Sequence, residues 1–185
     1  MFEGLLKSKF YTKSKSDIKL IRARIDMILK KRNSMLSYMR KDVADLLKNG
    51  LDSNAYERVD GLLAELNRSS CYEFIEQSSL HVRNHLAVMN KQRECPEECK
   101  EAVSSLMFAA ARFADLPELR DLRTLFLENY GDSMSSYANK EFVEKLKSGG
   151  CSPSKGMKLQ LLQDIALEYG LQWNSKDLKN KKAAR

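Results

Sequence analysis

No run of about 18 or more apolar residues occurs anywhere in this chain, so no segment qualifies as a membrane-spanning helix. The opening Met1-Phe2-Glu3-Gly4-Leu5-Leu6-Lys7 is too short in its apolar part for a signal peptide, and a cytosolic protein is expected. Histidine is nearly missing: two among 185 residues, His81 and His85, leave little for imidazole-based catalysis to draw on. Three prolines and eight glycines fall mostly between apolar-periodic segments, which leaves long stretches free to be helical. No alternating strand pattern and no internal repeat is found. The expected fold class is therefore all-α. Four cysteines (Cys71, Cys95, Cys99, Cys151) are enough for two disulfides, but without a secretory signal they are expected to be thiols.

What is present fits one globular domain. Hydrophobic residues at 43% can build a core, and charged residues at 31% match exposed helical surfaces. The net charge of +7 is concentrated at one end. Residues 1–50 carry thirteen Lys/Arg against five acids, a local excess of +8, so the remaining residues sum to −1. Such asymmetry points to an anionic partner, a phospholipid surface or a nucleic acid, because local potential recruits polyanions. A solvated helix face with a basic bias is the plainer reading.

Periodicity organises the rest. From near Ser16 to Asn49, Ile18, Ile21, Ile25 and Ile28 recur at helical spacing, and Met35, Met39 and Leu46 carry the stripe on. Arg32 and Asp42 interrupt it, with Leu36, Val43 and Leu47 as a shifted stripe beside it. Such a helix of roughly 34 residues would be about 50 Å long. Asn49-Gly50 closes it, and Asp52 or Ser53 can cap a second helix bearing Ala55, Tyr56, Val59, Leu62, Leu63 and Leu66, continuing through Phe74, Ile75, Val82, Leu86 and Met89. The short link predicts a long antiparallel helical hairpin. Pro96 opens a third helix (Val103, Leu106, Met107, Ala110, Phe113), and Pro117 a fourth (Leu119, Leu122, Leu125, Phe126) closed by Tyr130-Gly131. Phe142, Val143 and Leu146 mark a short fifth helix. Residues 149–156 read as a flexible link, followed by a last amphipathic helix (Leu159, Leu162, Ile165, Ala166, Tyr169) ended by Gly170, with Trp173 placed to anchor it. Residues 1–175 are expected to form the domain and 176–185 a basic, flexible tail.

Candidate chemistry is sparse. His81 and His85 lie four apart on one helix face, and Cys95 and Cys99 share that spacing ten to fourteen residues on, which makes a zinc site thinkable. Structural zinc motifs, however, use shorter gaps within a compact knuckle, and here one pair lies in a long helix while the other straddles Pro96. The pairs read as ordinary helix-surface residues, with no metal and no cofactor expected. The glycine-rich link has the wrong order for a phosphate-cradling loop and no strand before it. No serine sits in a nucleophile-elbow setting, so no enzyme and no catalytic residues are proposed. The methionines, among them Met27, Met35, Met39, Met89 and Met107, read mainly as core packing, although Met-rich faces also serve adaptable partner binding.

Two stretches narrow the class to a family. Arg40-Lys41-Asp42-Val43-Ala44-Asp45-Leu46-Leu47-Lys48-Asn49-Gly50, followed by Ala55-Tyr56-Glu57-Arg58-Val59-Asp60, resembles the turn between the first two helices of the increased-sodium-tolerance (Ist-one) family. Glu101-Ala102-Val103-Ser104-Ser105-Leu106-Met107-Phe108-Ala109-Ala110-Ala111-Arg112-Phe113, continuing through Asp115-Leu116-Pro117-Glu118-Leu119, is similar to the family's third-to-fourth helix region and resembles plant members. The resemblance covers roughly residues 5–174. Ser78-Ser79 departs from it, standing where members often have an aromatic residue and Cys.

The resemblance implies an ESCRT-III-like core: a long basic hairpin, shorter helices beside it, and a final helix folded back. It implies a non-enzymatic regulator in multivesicular body sorting, recruited from the cytoplasm to endosomal membranes. The implied partners are Did-two/charged multivesicular body protein one-class subunits, homo- or hetero-polymers, and the vacuolar-sorting AAA ATPase. The ATPase is contacted through a leucine-rich tail motif that these 185 residues do not contain. On this reading Lys13, Lys15, Lys19, Arg22, Arg24, Lys30, Lys31 and Arg32 form the face for acidic membrane and assembly contacts, and Leu162, Ile165 and Tyr169 wall a groove for a partner helix. The alternative is a basic helical nucleic-acid-binding protein; the lack of a reading motif argues against it, and no nucleic acid is expected.

Overall fold

The computed structural model describes residues 2–147, 152–176 and 178, and among them six α-helices carry the fold. They are α1 (Phe2–Lys48), α2 (Asp52–Lys91), α3 (Lys100–Ala109), α4 (Glu118–Tyr130), α5 (Lys140–Lys147) and α6 (Lys155–Glu168). Two 3-10 stretches, Glu97–Cys99 and Asp132–Tyr137, lie before α3 and α5. No strand occurs among the described residues.

The α1–α2 turn is a glycine-closed reversal. The Leu51 amide donates to the Leu46 carbonyl (2.9 Å) and the Gly50 amide to Leu47 (3.1 Å), with Gly50 at φ +72°, the left-handed conformation such a closure needs. Gly170 (φ +66°) closes α6 by the same pair of bonds, from Leu171 to Ala166 and from Gly170 to Leu167. At the other end of α6 the Ser154 side chain accepts from the Met157 amide. The link expected over 149–156 thus ends earlier, since Lys155 and Gly156 already belong to α6; residues 149–151 lie outside the described residues. Asn139 caps α5 in the same way, its Oδ1 accepting from the Phe142 amide.

The chain forms two compact units, Met1–Leu29 with Ser70–Ser148, and Lys30–Ser69 with Gly149–Arg185. Each long helix contributes a segment to both. In the first unit Ile18, Ile21 and Ile25 of α1 pack with Tyr72, Ile75, Val82, Leu86 and Met89 of α2 and with Val103, Leu106, Phe113, Leu119, Leu122 and Phe126. In the second, Leu36, Val43, Ala44 and Leu47 meet Ala55, Val59 and Leu62, and Leu161, Leu162, Ile165 and Ala166 of α6 cover them. The two long helices therefore pair as the antiparallel hairpin that the periodicity predicts.

Three details of α1 differ from expectation. It begins at Phe2 rather than near Ser16, because Phe10 and Ser14 continue the Ile18 row inward at four-residue steps. A serine in a fully buried position hides that row from a hydrophobicity pattern. In the second half of the helix the shifted stripe, Leu36–Val43–Leu47, is the buried one, and Met35 is exposed. Met27 is exposed as well (62%), pointing away from the isoleucine row, while Met89 and Met107 are core. Trp173 packs against the second core, as expected of an anchor, and its carbonyl accepts from Gln163 Nε2 (3.3 Å). Of the tail from residue 176 onward, Lys176 is exposed and Leu178 buried; the others lie outside the described residues.

Candidate partner and membrane interfaces

The eight basic residues of α1 expected to form the membrane and assembly face fall into distinct environments. Lys13, Lys15 and Lys19 in the first unit, and Lys30 and Lys31 in the second, are exposed. Arg24 is exposed and pairs within the first unit: its Nε lies 2.8 and 2.9 Å from the two carboxylate oxygens of buried Glu118. Arg32 is committed inside the second, donating from Nε to Ser69 Oγ (2.9 Å) and from Nη2 to the Glu65 carbonyl (3.0 Å) and carboxylate (2.6 Å). Arg22 is half-buried, with its Nε out of contact with solvent. Of the eight, Lys13, Lys15, Lys19 and Arg24 are exposed in the first unit and Lys30 and Lys31 in the second, while Arg32 is engaged within the fold. Arg32 interrupts the apolar stripe because it forks across to α2.

Acids temper this surface on one flank. Lys9, Lys13, Asp17, Asp121 and Glu128 line an open cleft where α1 passes α4. Burial, then the neighbouring Asp121 and Glu118 carboxylates, push the Asp17 pKa up to about 6, against a smaller opposing effect of Lys13. Leu20 (48% exposed) and Met27 stand outward on the same helix, so exposed apolar side chains lie among the lysines.

The groove residues divide. Leu162 and Ile165 have no exposed surface: they are the second unit's core, beneath the surface of α6, and do not form an accessible wall. Only Tyr169 of the three is exposed, and the other outward apolar residues of α6 are Met157 and Leu167. The helix pattern that marked Leu162 and Ile165 is the signature of core packing, which one amphipathic stripe cannot separate from a binding face. Around α6, Arg40 pairs with Glu168 (2.7 Å), and Lys158 pairs with Asp60 while lying 4.4 Å from the Tyr56 ring centroid.

The histidines and cysteines are rearranged relative to the sequence pairs. One potential ligand atom from each of His81, His85 and Cys99 lies within 4.8 Å of the others. Cys95 stands aside, its Sγ directed at the Pro96 carbonyl (3.6 Å). Burial raises both thiols, Cys95 to about 12 and Cys99 to about 11, so neither is a reactive thiolate. The sequence offered the His pair and the Cys pair together; the structure joins Cys99 alone to the histidines and buries both cysteines, which are therefore not helix-surface residues.

Comparison with known proteins decides the family. Residues 15–172 match the family model described as "Ist1: Regulator of Vps4 activity in the MVB pathway". The chain belongs to the Ist1 family. An IST1-like protein of Dictyostelium discoideum is 26% identical over 175 residues, covering 89% of this chain but 46% of that protein. This Ist1-family chain therefore spans about half the length of the relative it matches. Its fold is that of the crystallised S. cerevisiae Ist1 N-terminal domain, a structure in complex with the Did2 MIM motif. The TM-score is 0.76 at 19% identity, over 89% of this chain and 95% of that one. Where the Ist1-like pattern is broken at Ser78-Ser79, both serines are buried in α2, and Ser79 Oγ has no hydrogen-bond partner.

Proposed function

We propose that this chain is an ESCRT-III-associated regulator and scaffold in endosomal, multivesicular body sorting. It binds the tail helix of a Did2-class subunit and modulates disassembly of the polymer by the AAA ATPase Vps4. The family match over residues 15–172 carries this reading, and the likeness to a domain crystallised with a Did2 motif supports the choice of partner. The protein acts by binding and co-assembly, not by catalysis. Residues 1–175 work as one functional module, and the Glu101–Phe113 stretch supports a plant-type member. Lys13, Lys15, Lys19, Lys30 and Lys31, all exposed, recruit it from the cytoplasm to anionic endosomal membranes.

The partner helix lies beside α6, with Tyr169 on the contact surface and Leu162 and Ile165 as the packed floor beneath. Fluorescence anisotropy of a labelled Did2-type tail peptide, with single-stranded RNA as control, tests this. Peptide binding should saturate and survive moderate salt, whereas RNA should not compete. Tyr169→Asp should weaken the peptide at least tenfold, about 1.4 kcal/mol, with an unchanged circular dichroism spectrum. Unaltered affinity would remove the groove from α6, and failure of the wild-type chain to bind would remove the partner.

A further inference from the structure

His81 and His85 lie one turn apart on α2, with ring centroids 4.4 Å from each other. Each ring has one nitrogen held by a backbone carbonyl: His81 Nε2 lies 2.8 Å from the Glu98 oxygen, and His85 Nδ1 lies 2.7 Å from the His81 oxygen. A carbonyl can only accept, so those nitrogens carry the hydrogen. In the neutral form of each ring the lone pair then sits on His81 Nδ1 and His85 Nε2. Anchoring of one ring nitrogen by a carbonyl is how metal-binding histidines are commonly oriented. Cys99, fully buried at the end of the 3-10 stretch, brings a sulfur to the same place.

We propose that His81, His85 and Cys99 form a zinc site, two imidazole nitrogens and one thiolate, with a fourth position open to water. A donor atom of each residue already lies within 4.8 Å of the others. Tetrahedral Zn–N and Zn–S bonds of about 2.0–2.3 Å place donors roughly 3.3–3.6 Å apart, so closure takes side-chain rotation of about an ångström. Two imidazoles and a sulfur, with no carboxylate among them, suit zinc and disfavour magnesium and calcium. Binding displaces the proton of Cys99 Sγ, since the thiolate is the ligand. The ion would fasten α2 to the turn that opens α3, both within the first unit.

The competing account is that the two rings are simply satisfied by backbone carbonyls and bind nothing. Titration of the full chain with Zn2+ against a chromogenic chelator, and with Co2+ followed by absorbance, separates the two. The site predicts one equivalent of zinc and a near-ultraviolet thiolate-to-cobalt charge-transfer band. Cys99→Ser should abolish the band and weaken zinc at least tenfold. The half-exposed His81→Gln/His85→Gln pair should do the same to zinc with helicity intact, and decides the matter if Cys99→Ser does not fold. A band that persists in Cys99→Ser, or zinc affinity equal in wild type and the double histidine variant, overturns the proposal.

Discussion

Asp17 is a carboxylate placed where its own charge is unwelcome. Its pKa rises from 3.8 to about 6 through burial and then through Asp121 and Glu118. The folded state therefore holds the proton more tightly than the unfolded chain. The stability tied to this group is complete below about pH 4 and is lost as pH climbs through 6. Asp17→Asn should then be more stable than wild type at pH 7.5 by about 1 kcal/mol, a value discounted for the partial exposure of the site, and the advantage should vanish by pH 4. Thermal melts at the two pH values check this; equal melting at both would contradict it. Arg32 is the opposite case, an inward charge fully answered by Ser69 and Glu65. Its break in the apolar stripe was visible in the sequence, but its partners, 37 and 33 residues away, were not. For Cys99 beside His81 and His85 the sequence offered the pairing, but not which of the two cysteines would be brought to the rings. Periodicity reports which way a side chain points, and the identity of what it meets is set by tertiary packing.

Helix closure offers a cleaner test at the level of elements. Gly50 has φ +72°, and nothing lies within 4 Å of a Cβ added there, so Gly50→Ala carries only the conformational penalty of the left-handed region, about 1–2 kcal/mol. Gly156 sits inside α6 without a positive φ, and an added Cβ would meet Ser154 Oγ at an ordinary 3.9 Å. Gly156→Ala should stabilise by about 0.5–1 kcal/mol. Urea unfolding of the two variants should give shifts of opposite sign, and a shared sign would contradict these roles. All six helices were legible because each carries its own apolar row and its own punctuation: Gly50, Pro96, Pro117, Gly131 and Gly170 stand where the periodic segments meet. The start of α1 was not legible, since buried Ser14 reads as polar. Nor was the status of Leu162 and Ile165, because a core stripe and a docking stripe have the same spacing.

For the molecule as a whole, charge and core are separately disposed. The net +8 of the first 50 residues lies on α1, where Lys13, Lys15, Lys19, Arg24, Lys30 and Lys31 are exposed. Each lysine near an anionic leaflet contributes about 1 kcal/mol, so reversing Lys13, Lys15, Lys19 and Lys31 to Glu should abolish co-sedimentation with phosphatidylserine vesicles at moderate salt. Binding of the Did2-type peptide should be retained. Undiminished sedimentation would take the membrane contact away from α1. The second unit, by contrast, is assembled from residues 30–69 and from α6, which begins at Lys155. While the chain emerges from the ribosome, every helix of the first unit's core is available before α6 has been made. Leu36, Val43, Val59 and Leu62 must wait for Leu162 and Ile165, about a hundred residues downstream, and a contact of such high order is slow to form. This half of the nascent hairpin is thus the last to bury its apolar surface, and the most exposed to chaperones and to misassembly.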